Sequence, residues 1–269
     1  MDISSAKHAF ITGGASGIGV GIADALASRG VAITIADINR EALEAVLASR
    51  NGRLRGQALD TRDRQGWAAA KTEAEAALGP VDILVNNAGI APDGRDFADM
   101  DPASFDRIIG INLGGVFNGV STFAADMRAR RNGHIVNTSS LAALTFAYPG
   151  TGAYSVAKFG VLGLCECLRI ELAPHGIGVS ALCPGLADTN LAQSTIKLGG
   201  QIREGGSSVR SFATSAPKVG EMVTMKPADI GELVVEGIAQ NLPYIITHPA
   251  GWDSVAKRMQ AIRDAFSPE

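Results

Sequence analysis

The chain has 269 residues, of which 46% are hydrophobic and 19% charged, and its formal net charge is −3. This composition excludes an intrinsically disordered chain or a fibrous protein, because it supplies enough apolar surface for a large core. The 24 basic residues are nearly balanced by 27 acidic ones and form no basic stripe, so we expect no nucleic-acid partner.

Cysteine use and hydropathy predict the compartment. Cys165, Cys167 and Cys183 are an odd number of thiols in apolar stretches, which indicates buried cysteines in a reducing environment. The first residues lack a basic segment followed by a long apolar run, and no stretch approaches ~18 uninterrupted apolar residues. We therefore expect a cytoplasmic protein with no signal peptide and no membrane span.

Short apolar runs alternate with longer Ala-rich segments from the start of the chain to about residue 185. Apolar strands that alternate with helices are typical of a parallel sheet covered on both faces. With right-handed crossovers, the pattern predicts a doubly wound α/β sheet. The predicted strands are 9–12, 32–36, 55–59, 83–86, 134–138 and 178–182, and the predicted helices are 17–29, 40–48, 62–78, 102–130 and 153–173.

The regular pattern ends after the sixth strand. Residues 190–226 are rich in Gly, Ser, Thr and Lys, which predicts an irregular lid or binding loop. A helix at 227–240, a seventh strand at 244–247 and an amphipathic helix at 253–266 follow. We expect a single domain, with the cofactor sheet and catalytic face in 1–185, a substrate lid in 186–226 and closing elements in 227–269.

A glycine-rich turn joins the first strand to its helix. Gly13, Gly17 and Gly19 have the spacing G-x-x-x-G-x-G, and Ser16 and Ile18 lie between them. Glycines at this place let a pyrophosphate approach the backbone N–H groups of a helix N-terminus. An ordinary glycine-rich turn is the alternative interpretation of the same residues.

Asp37 ends the second strand, about 20 residues after the glycine turn. A carboxylate there accepts hydrogen bonds from the adenosine ribose of NAD and repels the additional phosphate of NADP. Ile38 follows it, and the glycine turn has no basic residue, so NAD is favoured. Arg40 lies close enough to keep NADP open, and a solvated acid is the alternative without a cofactor.

Ser140, Tyr154 and Lys158 form a third group with possible chemistry. Tyr154 and Lys158 are four residues apart on a predicted helix and therefore share a face. An ammonium group beside a phenol favours the phenolate and lowers its pKa, which suits acid–base catalysis near neutral pH. The Ser140 hydroxyl can hold an alcohol or carbonyl oxygen beside the tyrosine.

Six motifs occur together in one order: TGGASGIG at 12–19, NNAG at 86–89, INL at 111–113, NTSS at 137–140, YSVAK at 154–158 and CPG at 183–185. On these motifs the chain resembles the short-chain dehydrogenase/reductase family from about residue 7 to residue 189. The resemblance implies a Rossmann-like fold, mainly a seven-stranded parallel sheet with helices on both faces. It also implies an alcohol dehydrogenase or ketone reductase with a nicotinamide cofactor.

The resemblance assigns roles to matching residues. Tyr154 would be the general acid/base, Lys158 would lower its pKa, Ser140 would orient the substrate oxygen, and Asn112 would anchor a water in a proton relay. Asp60 would contact adenine, and the turn at 184–185 with Thr189 would bracket the nicotinamide. The cofactor-binding set is Gly13, Ser16, Gly17, Ile18, Gly19, Asp37, Ile38, Asp60, Thr61, Asn87, Ala88, Gly89, Tyr154, Lys158, Pro184, Gly185 and Thr189.

The expected substrate is a bulky, hydrophobic secondary alcohol or its ketone. Three segments, 134–144, 176–185 and 244–266, look similar to short-chain dehydrogenases that act on aryl alcohols, among them the Cα-dehydrogenases of bacterial lignin aryl-ether breakdown. Steroid, terpene or cyclic alcohols are the alternative. The candidate pocket is largely apolar and comprises Ser140, Leu141, Ala142, Leu144, Phe146, Tyr148 and Leu186.

Two other classes of protein compete with this interpretation. A noncatalytic dinucleotide sensor shares the fold but usually lacks part of the Ser–Tyr–Lys set. A sugar epimerase or dehydratase favours a different glycine spacing and a longer substrate domain. The four histidines are scattered, so we expect no metal. The resemblance also implies a homo-oligomer, most often a tetramer that packs the helices near 102–130 and 153–173 between subunits.

Overall fold

The structure is a computed structural model that describes residues 1–50, 54–145, 147–189, 191–197 and 223–266. Its centre is a sheet of seven parallel strands in the order β3-β2-β1-β4-β5-β6-β7. The predicted doubly wound sheet is thereby confirmed. The strands are β1 (His8–Thr12), β2 (Ala32–Asp37), β3 (Leu54–Ala58), β4 (Ile83–Asn86), β5 (His134–Thr138), β6 (Gly178–Cys183) and β7 (Tyr244–Ile246).

The order of the strands reverses between β1 and β4, which are neighbours in the sheet although β2 and β3 intervene in the chain. At such a reversal the connections leave toward opposite faces, and a crevice opens at the carboxyl ends of the two strands. The glycine turn follows β1 and the NNAG motif begins at the end of β4, so both motifs border this crevice.

Helices cover both faces of the sheet. One face packs on an apolar cluster that includes Ile22 and Val234, and the other on a cluster that includes Trp67 and Phe123. The helices are α1 (Gly17–Ala27), α2 (Arg40–Ser49), α3 (Arg64–Leu78), α4 (Pro102–Ile109), α5 (Gly115–Arg130), α6 (Gly152–Leu172), α7 (Leu191–Lys197), α8 (Pro227–Ala239) and α9 (Trp252–Ala265).

Three predictions about individual elements were wrong. The helix predicted from residue 62 begins at Arg64, because the Asp63 carboxylate accepts a hydrogen bond from the Gln65 N–H and caps the helix there. The single helix predicted at 102–130 contains a π-helical turn, Gly110–Gly114. The segment predicted to be irregular from 190 to 226 contains α7, while residues 190 and 198–222 lie outside the described residues.

The combined run Pro102–Arg130 is long and apolar enough, by length and composition alone, to span a membrane. Its α5 part instead packs against the sheet, where the Phe123 ring lies 5.2 Å from the ring of Phe10 and edge-on to that of Trp67. These contacts are those of a core helix. The expectation of three buried cysteines was wrong for Cys167, which lies on an exposed part of α6.

Helices α1 and α8 approach closely because each has a glycine at the crossing. A Cβ on Gly21 would lie 2.0 Å from the Pro227 carbonyl oxygen, and one on Gly231 would lie 2.3 Å from the Gly21 oxygen. Any residue with a Cβ at either position would force the two helices apart. This contact fixes α8 over the start of the chain and ties the closing elements to the cofactor half of the domain.

Gly21→Ala should destabilise the protein by about 1–3 kcal/mol, because the added methyl group meets a backbone oxygen that cannot rotate away. Glu44→Ala is the control, since it adds no group at an exposed position of α2 and should leave the stability unchanged within about 0.5 kcal/mol. Urea unfolding of both variants measures the difference. Equal effects of the two substitutions would contradict the tight α1–α8 crossing.

Candidate active site

A cleft of about 910 Å³ opens at the carboxyl ends of the strands, at the reversal between β1 and β4. It brings together residues from eight separate parts of the chain, which sequence analysis had linked only by their motifs. The predicted site residues that line it are Gly13, Ser16, Gly17, Ile18, Asp37, Ile38, Asp60, Thr61, Asn87, Ala88, Gly89, Ser140, Tyr154, Lys158, Pro184, Gly185, Leu186 and Thr189.

The glycine turn has the conformation that its sequence suggests. Gly13 and Gly17 have φ values of 62° and 49°, in the left-handed region that favours glycine. A Cβ on Gly13 would lie 2.9 Å from the Ala88 Cα, so the turn packs directly on the NNAG segment. Gly19 does not line the cleft; a Cβ there would lie 2.1 Å from the Gly13 oxygen, and its role is to let α1 approach the turn.

Asp37 lines one end of the cleft, where two backbone N–H groups hold its carboxylate. The Ala15 N–H donates to Oδ2 at 3.2 Å and the Asn39 N–H donates to Oδ1 at 3.0 Å. Both bonds fix the carboxylate beside the glycine turn with lone pairs left for a ligand. Arg40, the first residue of α2, lines the same end of the cleft.

Asp60 is engaged by a neighbouring side chain that sequence analysis did not single out. The Arg62 guanidinium donates to both carboxylate oxygens, with an Nη2–Oδ2 distance of 2.6 Å. This interaction lowers the pKa of Asp60. The predicted adenine contact therefore has to be made by a carboxylate that is already paired, and the spacing D-x-R was the signal for that pair.

The floor of the cleft is a network centred on Asn87. Its side-chain Nδ2 donates to the carbonyl oxygens of Thr12 and Gly13, at 3.2 and 3.3 Å. The Thr138 hydroxyl donates to Asn87 Oδ1 at 3.2 Å, and the Thr12 hydroxyl accepts the N–H groups of Asn87 and Ala88. The network joins the ends of β1, β4 and β5 into one rigid surface. Thr12 and Thr138 are site residues that sequence analysis missed.

Lys158 is buried, with 4% of its surface exposed, and its Nζ donates to the Thr138 carbonyl oxygen at 2.8 Å. The bond ties α6 to the end of β5. Burial disfavours the charged ammonium and lowers the pKa of Lys158 to about 8, while the nearby Cys183 acts in the opposite direction. Ser139 supports the same contact, because its hydroxyl donates to the Lys158 carbonyl oxygen at 2.8 Å.

Tyr154 lies one helical turn before Lys158, whose Nζ is 5.6 Å from the centroid of the tyrosine ring. Burial raises the pKa of Tyr154, and the Ser140 hydroxyl acts in the opposite direction. The Lys158 ammonium donates to the Thr138 carbonyl oxygen, and the effect of burial on the Tyr154 phenol outweighs that of Ser140. Ser140 also caps a short 3-10 turn, accepting the Ala142 N–H at 3.1 Å.

Asn112 lies behind the cleft, fully buried at the centre of the π-helical turn. Its Oδ1 accepts the Ile90 N–H at 2.8 Å, and its Nδ2 donates to the Ile90 oxygen at 2.9 Å. Because the amide satisfies both polar groups of one residue, it fixes the path of the chain after the NNAG motif. The widened π turn brings this amide to Ile90, and such turns are frequent at functional sites.

The residues that line the substrate side of the cleft differ from the predicted pocket residues. Leu141 and Ala142 are buried, 8% and 5% exposed, and Leu141 belongs to the core because the 3-10 turn after Ser140 directs it inward. Among the described residues, Leu144 and Tyr148 do not line the cleft either, and Phe146 lies outside them. The apolar side chains that do line this part are those of Ile90, Ile111, Leu186 and Leu191.

Three of these four residues follow or flank a motif that sequence analysis had used. Ile90 comes directly after NNAG, Ile111 begins INL, and Leu186 follows CPG. A position within or next to a motif was therefore the sequence signal that could identify these apolar residues of the cleft. Within the described part of the chain, no three His, Cys, Asp or Glu side chains group as metal ligands.

Lys158→Met should make the protein more stable at pH 7 by about 1–3 kcal/mol, because the buried charge that it removes costs more than the hydrogen bond to Thr138 that it loses. The folded protein holds the pKa of Lys158 near 8, below its usual 10.5, so it binds fewer protons than the unfolded chain between those values. Its contribution to stability therefore rises with pH across that window. The advantage of the variant should shrink between pH 8 and 10.5.

Urea unfolding at several pH values measures this advantage. Lys257→Met, at an exposed position on α9, is the control and should leave stability unchanged within about 0.5 kcal/mol. A variant less stable than the wild type at pH 7 would contradict the buried-charge account of Lys158.

Comparison with known proteins agrees with this arrangement. The family model described as short chain dehydrogenase matches residues 7–197. A C alpha-dehydrogenase of Sphingobium sp. (strain NBRC 103272 / SYK-6) is 34% identical over 97% of this chain and 86% of that protein. The crystal structure of the apo form of LigO from Sphingobium sp. strain SYK-6 superposes with a TM-score of 0.82 at 31% identity, covering 99% of this chain and 91% of the other.

A short-chain dehydrogenase/reductase from Burkholderia phymatum, solved in complex with NAD, superposes with a TM-score of 0.86 at 28% identity. That match covers 100% of this chain and 98% of the other. The matched family model spans every motif from the glycine turn to the CPG segment. The chain therefore belongs to the short-chain dehydrogenase/reductase family of oxidoreductases.

Proposed function

We propose that this protein is an NAD-dependent dehydrogenase that interconverts a bulky, aromatic secondary alcohol and its ketone. The observation that carries the proposal is the meeting of Ser140, Tyr154 and Lys158 in the same cleft as the glycine turn. A noncatalytic sensor would need the turn but not the three polar side chains. A steroid, terpene or cyclic alcohol remains the second candidate substrate.

A nicotinamide cofactor held in this cleft would supply the acceptor for the hydride of the carbinol carbon. Tyr154 takes the proton of the substrate hydroxyl as general base, or returns it in the reverse direction. Ser140 donates a hydrogen bond that holds the substrate oxygen beside the phenol. Lys158, which stays protonated below its pKa of about 8, favours the phenolate by its charge.

The positions of the Asn112 amide and the Lys158 ammonium suggest a proton route behind Tyr154. Asn112 Oδ1 and Lys158 Nζ lie 3.1 and 3.7 Å from the point that a Cβ on Gly89 would occupy. Gly89 leaves this space open, and a water between the two groups would have a donor and an acceptor within reach. We propose that this water carries the proton between Lys158 and the solvent.

The cleft fits a nicotinamide dinucleotide. The left-handed glycines leave room for a pyrophosphate at the N-terminus of α1, and Asp37 stands where an adenosine ribose would end. The carboxylate favours NAD because it repels the extra phosphate of NADP. The NAD bound to the Burkholderia phymatum protein supports this choice.

The substrate class is supported by the apolar wall and by the relatives. Ile90, Ile111, Leu186 and Leu191 give the cleft an apolar side next to Ser140 and Tyr154. Such a wall suits a hydrophobic substrate with one polar oxygen. The C alpha-dehydrogenase of Sphingobium sp. resembles this chain along nearly its whole length, which supports an aryl alcohol.

We also propose a homo-oligomer, most simply a tetramer, in the cytoplasm. The apolar side chains of Phe117, Val156 and Ile170 are 48%, 46% and 78% exposed on α5 and α6. Exposed apolar residues on neighbouring helices are typical of faces that pack against another subunit.

Tyr154→Phe should lower kcat by about 10²–10⁴-fold, because it removes the proton acceptor and leaves the ring in position. Its affinity for NADH should stay close to that of the wild type. Tyr244→Phe is the control, since the Tyr244 hydroxyl bonds Glu166 on the surface. Oxidation of a panel of aryl and alicyclic alcohols, followed by NADH absorbance, measures both variants. Wild-type rates in Tyr154→Phe would refute the acid/base role.

Asp37→Ala should raise the preference for NADP over NAD by at least about tenfold, because it removes the charge that repels the extra phosphate. Arg40, which also lines this end of the cleft, then remains as a basic side chain that can pair with the phosphate. The measurement is kcat/KM for each cofactor, with Asp264→Ala on the exposed α9 as the control. An unchanged cofactor ratio would show that Asp37 does not select the cofactor.

A further inference from the structure

His248 lies directly behind the wall of the cleft that Gly185 forms. It follows β7 and is 6% exposed, and its Nδ1 is 3.2 Å from the Gly185 nitrogen. A Cβ on Gly185 would lie 2.7 Å from that Nδ1, so the imidazole packs against the Gly185 backbone itself. Gly185 lines the cleft and His248 does not.

The contacts of His248 fix one tautomer of its ring. The Gly185 N–H can only donate, so Nδ1 accepts from it and carries no proton. The Val223 carbonyl oxygen, 2.9 Å from Nε2, can only accept, so Nε2 carries the proton. The Thr247 hydroxyl, 2.6 Å from Nδ1, completes the set by donating to it while its oxygen shares the Gly185 N–H at 3.1 Å.

The two backbone partners of His248 belong to two strips of chain that border the cleft. Gly185 follows the end of β6, and Val223 is the first described residue after the gap at 198–222. The strip that starts at Val223 pairs with residues 186–188, since the Met225 N–H donates to the Leu186 oxygen at 3.0 Å and the Asp188 N–H to the Met225 oxygen at 2.9 Å. The imidazole therefore joins the start and the end of the segment that follows CPG.

We propose that His248 is a positioning residue that sets the Gly185 wall against the nicotinamide half of the cofactor and couples that wall to the 223–226 strip. The proposal rests on the proposed function, because the role of the 184–185 turn depends on a bound nicotinamide dinucleotide. His248 acts through Gly185 and touches no reacting atom. The adenosine half of the cleft, around Asp37, has no contact with it.

The other two buried histidines have different surroundings. His8 and His134 begin β1 and β5, at the amino ends of the strands and away from the cleft. Their ring nitrogens bond Thr34 and Ser180 inside the core. His248 differs because it bonds two backbone groups on strips that border the cleft, one of which lines it.

Three substitutions separate the two bonds of His248. In His248→Asn the amide Oδ1 stands as far from Cβ as Nδ1 does in histidine, so the acceptor for Gly185 is kept. The donor that reaches Val223 is lost. His248→Gln keeps a donor at the distance of Nε2 and loses the acceptor for Gly185. His248→Leu loses both, and His175→Leu, outside the cleft, is the matched control.

The test compares the binding of NADH with that of ADP-ribose, which lacks the nicotinamide, in each variant. In the Gln and Leu variants the Gly185 N–H keeps the Thr247 hydroxyl as an acceptor but loses the imidazole. This loss should weaken NADH binding by about three- to tenfold and leave ADP-ribose binding within about twofold of the wild type. His248→Asn should bind NADH within about twofold of the wild type but raise the KM of the alcohol, since it loses only the Val223 bond.

The outcomes distinguish the proposal from its alternatives. Equal weakening of NADH and ADP-ribose would mean that His248 supports the fold in general, and unchanged binding of both would mean that it positions nothing; either result overturns the proposal. Far-ultraviolet circular dichroism and urea unfolding identify any variant that fails to fold. If the wild type itself binds neither ligand, the proposed function fails and the inference with it.

Discussion

The hydrogen bond from the buried Lys158 ammonium to the Thr138 carbonyl oxygen is the contact on which the site depends. It holds α6 against the end of β5 and so fixes Tyr154, one helical turn earlier, at the cleft. The same burial that fixes the pair opposes its charges, since it lowers the pKa of Lys158 to about 8 and raises the pKa of Tyr154. The pair is therefore rigidly placed, and we propose that it becomes an efficient acid/base once bound ligands change its surroundings.

Thr138 connects this pair to the rest of the cleft. Its carbonyl oxygen holds Lys158 and its hydroxyl holds Asn87, whose amide reaches the glycine turn at Gly13. On the other side Asn112 fixes Ile90 through the π-helical turn. The groups expected to bind the cofactor and those expected to move the proton thus share one hydrogen-bonded frame, and a shift in either half is transmitted through few bonds.

Local patterns were enough to predict the sheet, the glycine turn and the pairing of Tyr154 with Lys158, because each rests on short-range spacing. The π turn could not be predicted, since it depends on Asn112 meeting Ile90, 22 residues earlier in the chain. Leu141 and Ala142 were assigned to the pocket because they follow Ser140, but the 3-10 turn directs Leu141 into the core. His248 lies 63 residues from Gly185, and no motif links them.

Bound ligands should convert the pair of Tyr154 and Lys158, whose charged forms burial disfavours, into a working acid/base. The chain has only 3 tyrosines, so the phenolate of Tyr154 can be followed by ultraviolet difference spectroscopy with Tyr154→Phe as the blank. We expect Tyr154 to titrate above the usual tyrosine pKa in the free protein and below it in the NAD complex. An identical pKa in the free protein and the complex would contradict the account.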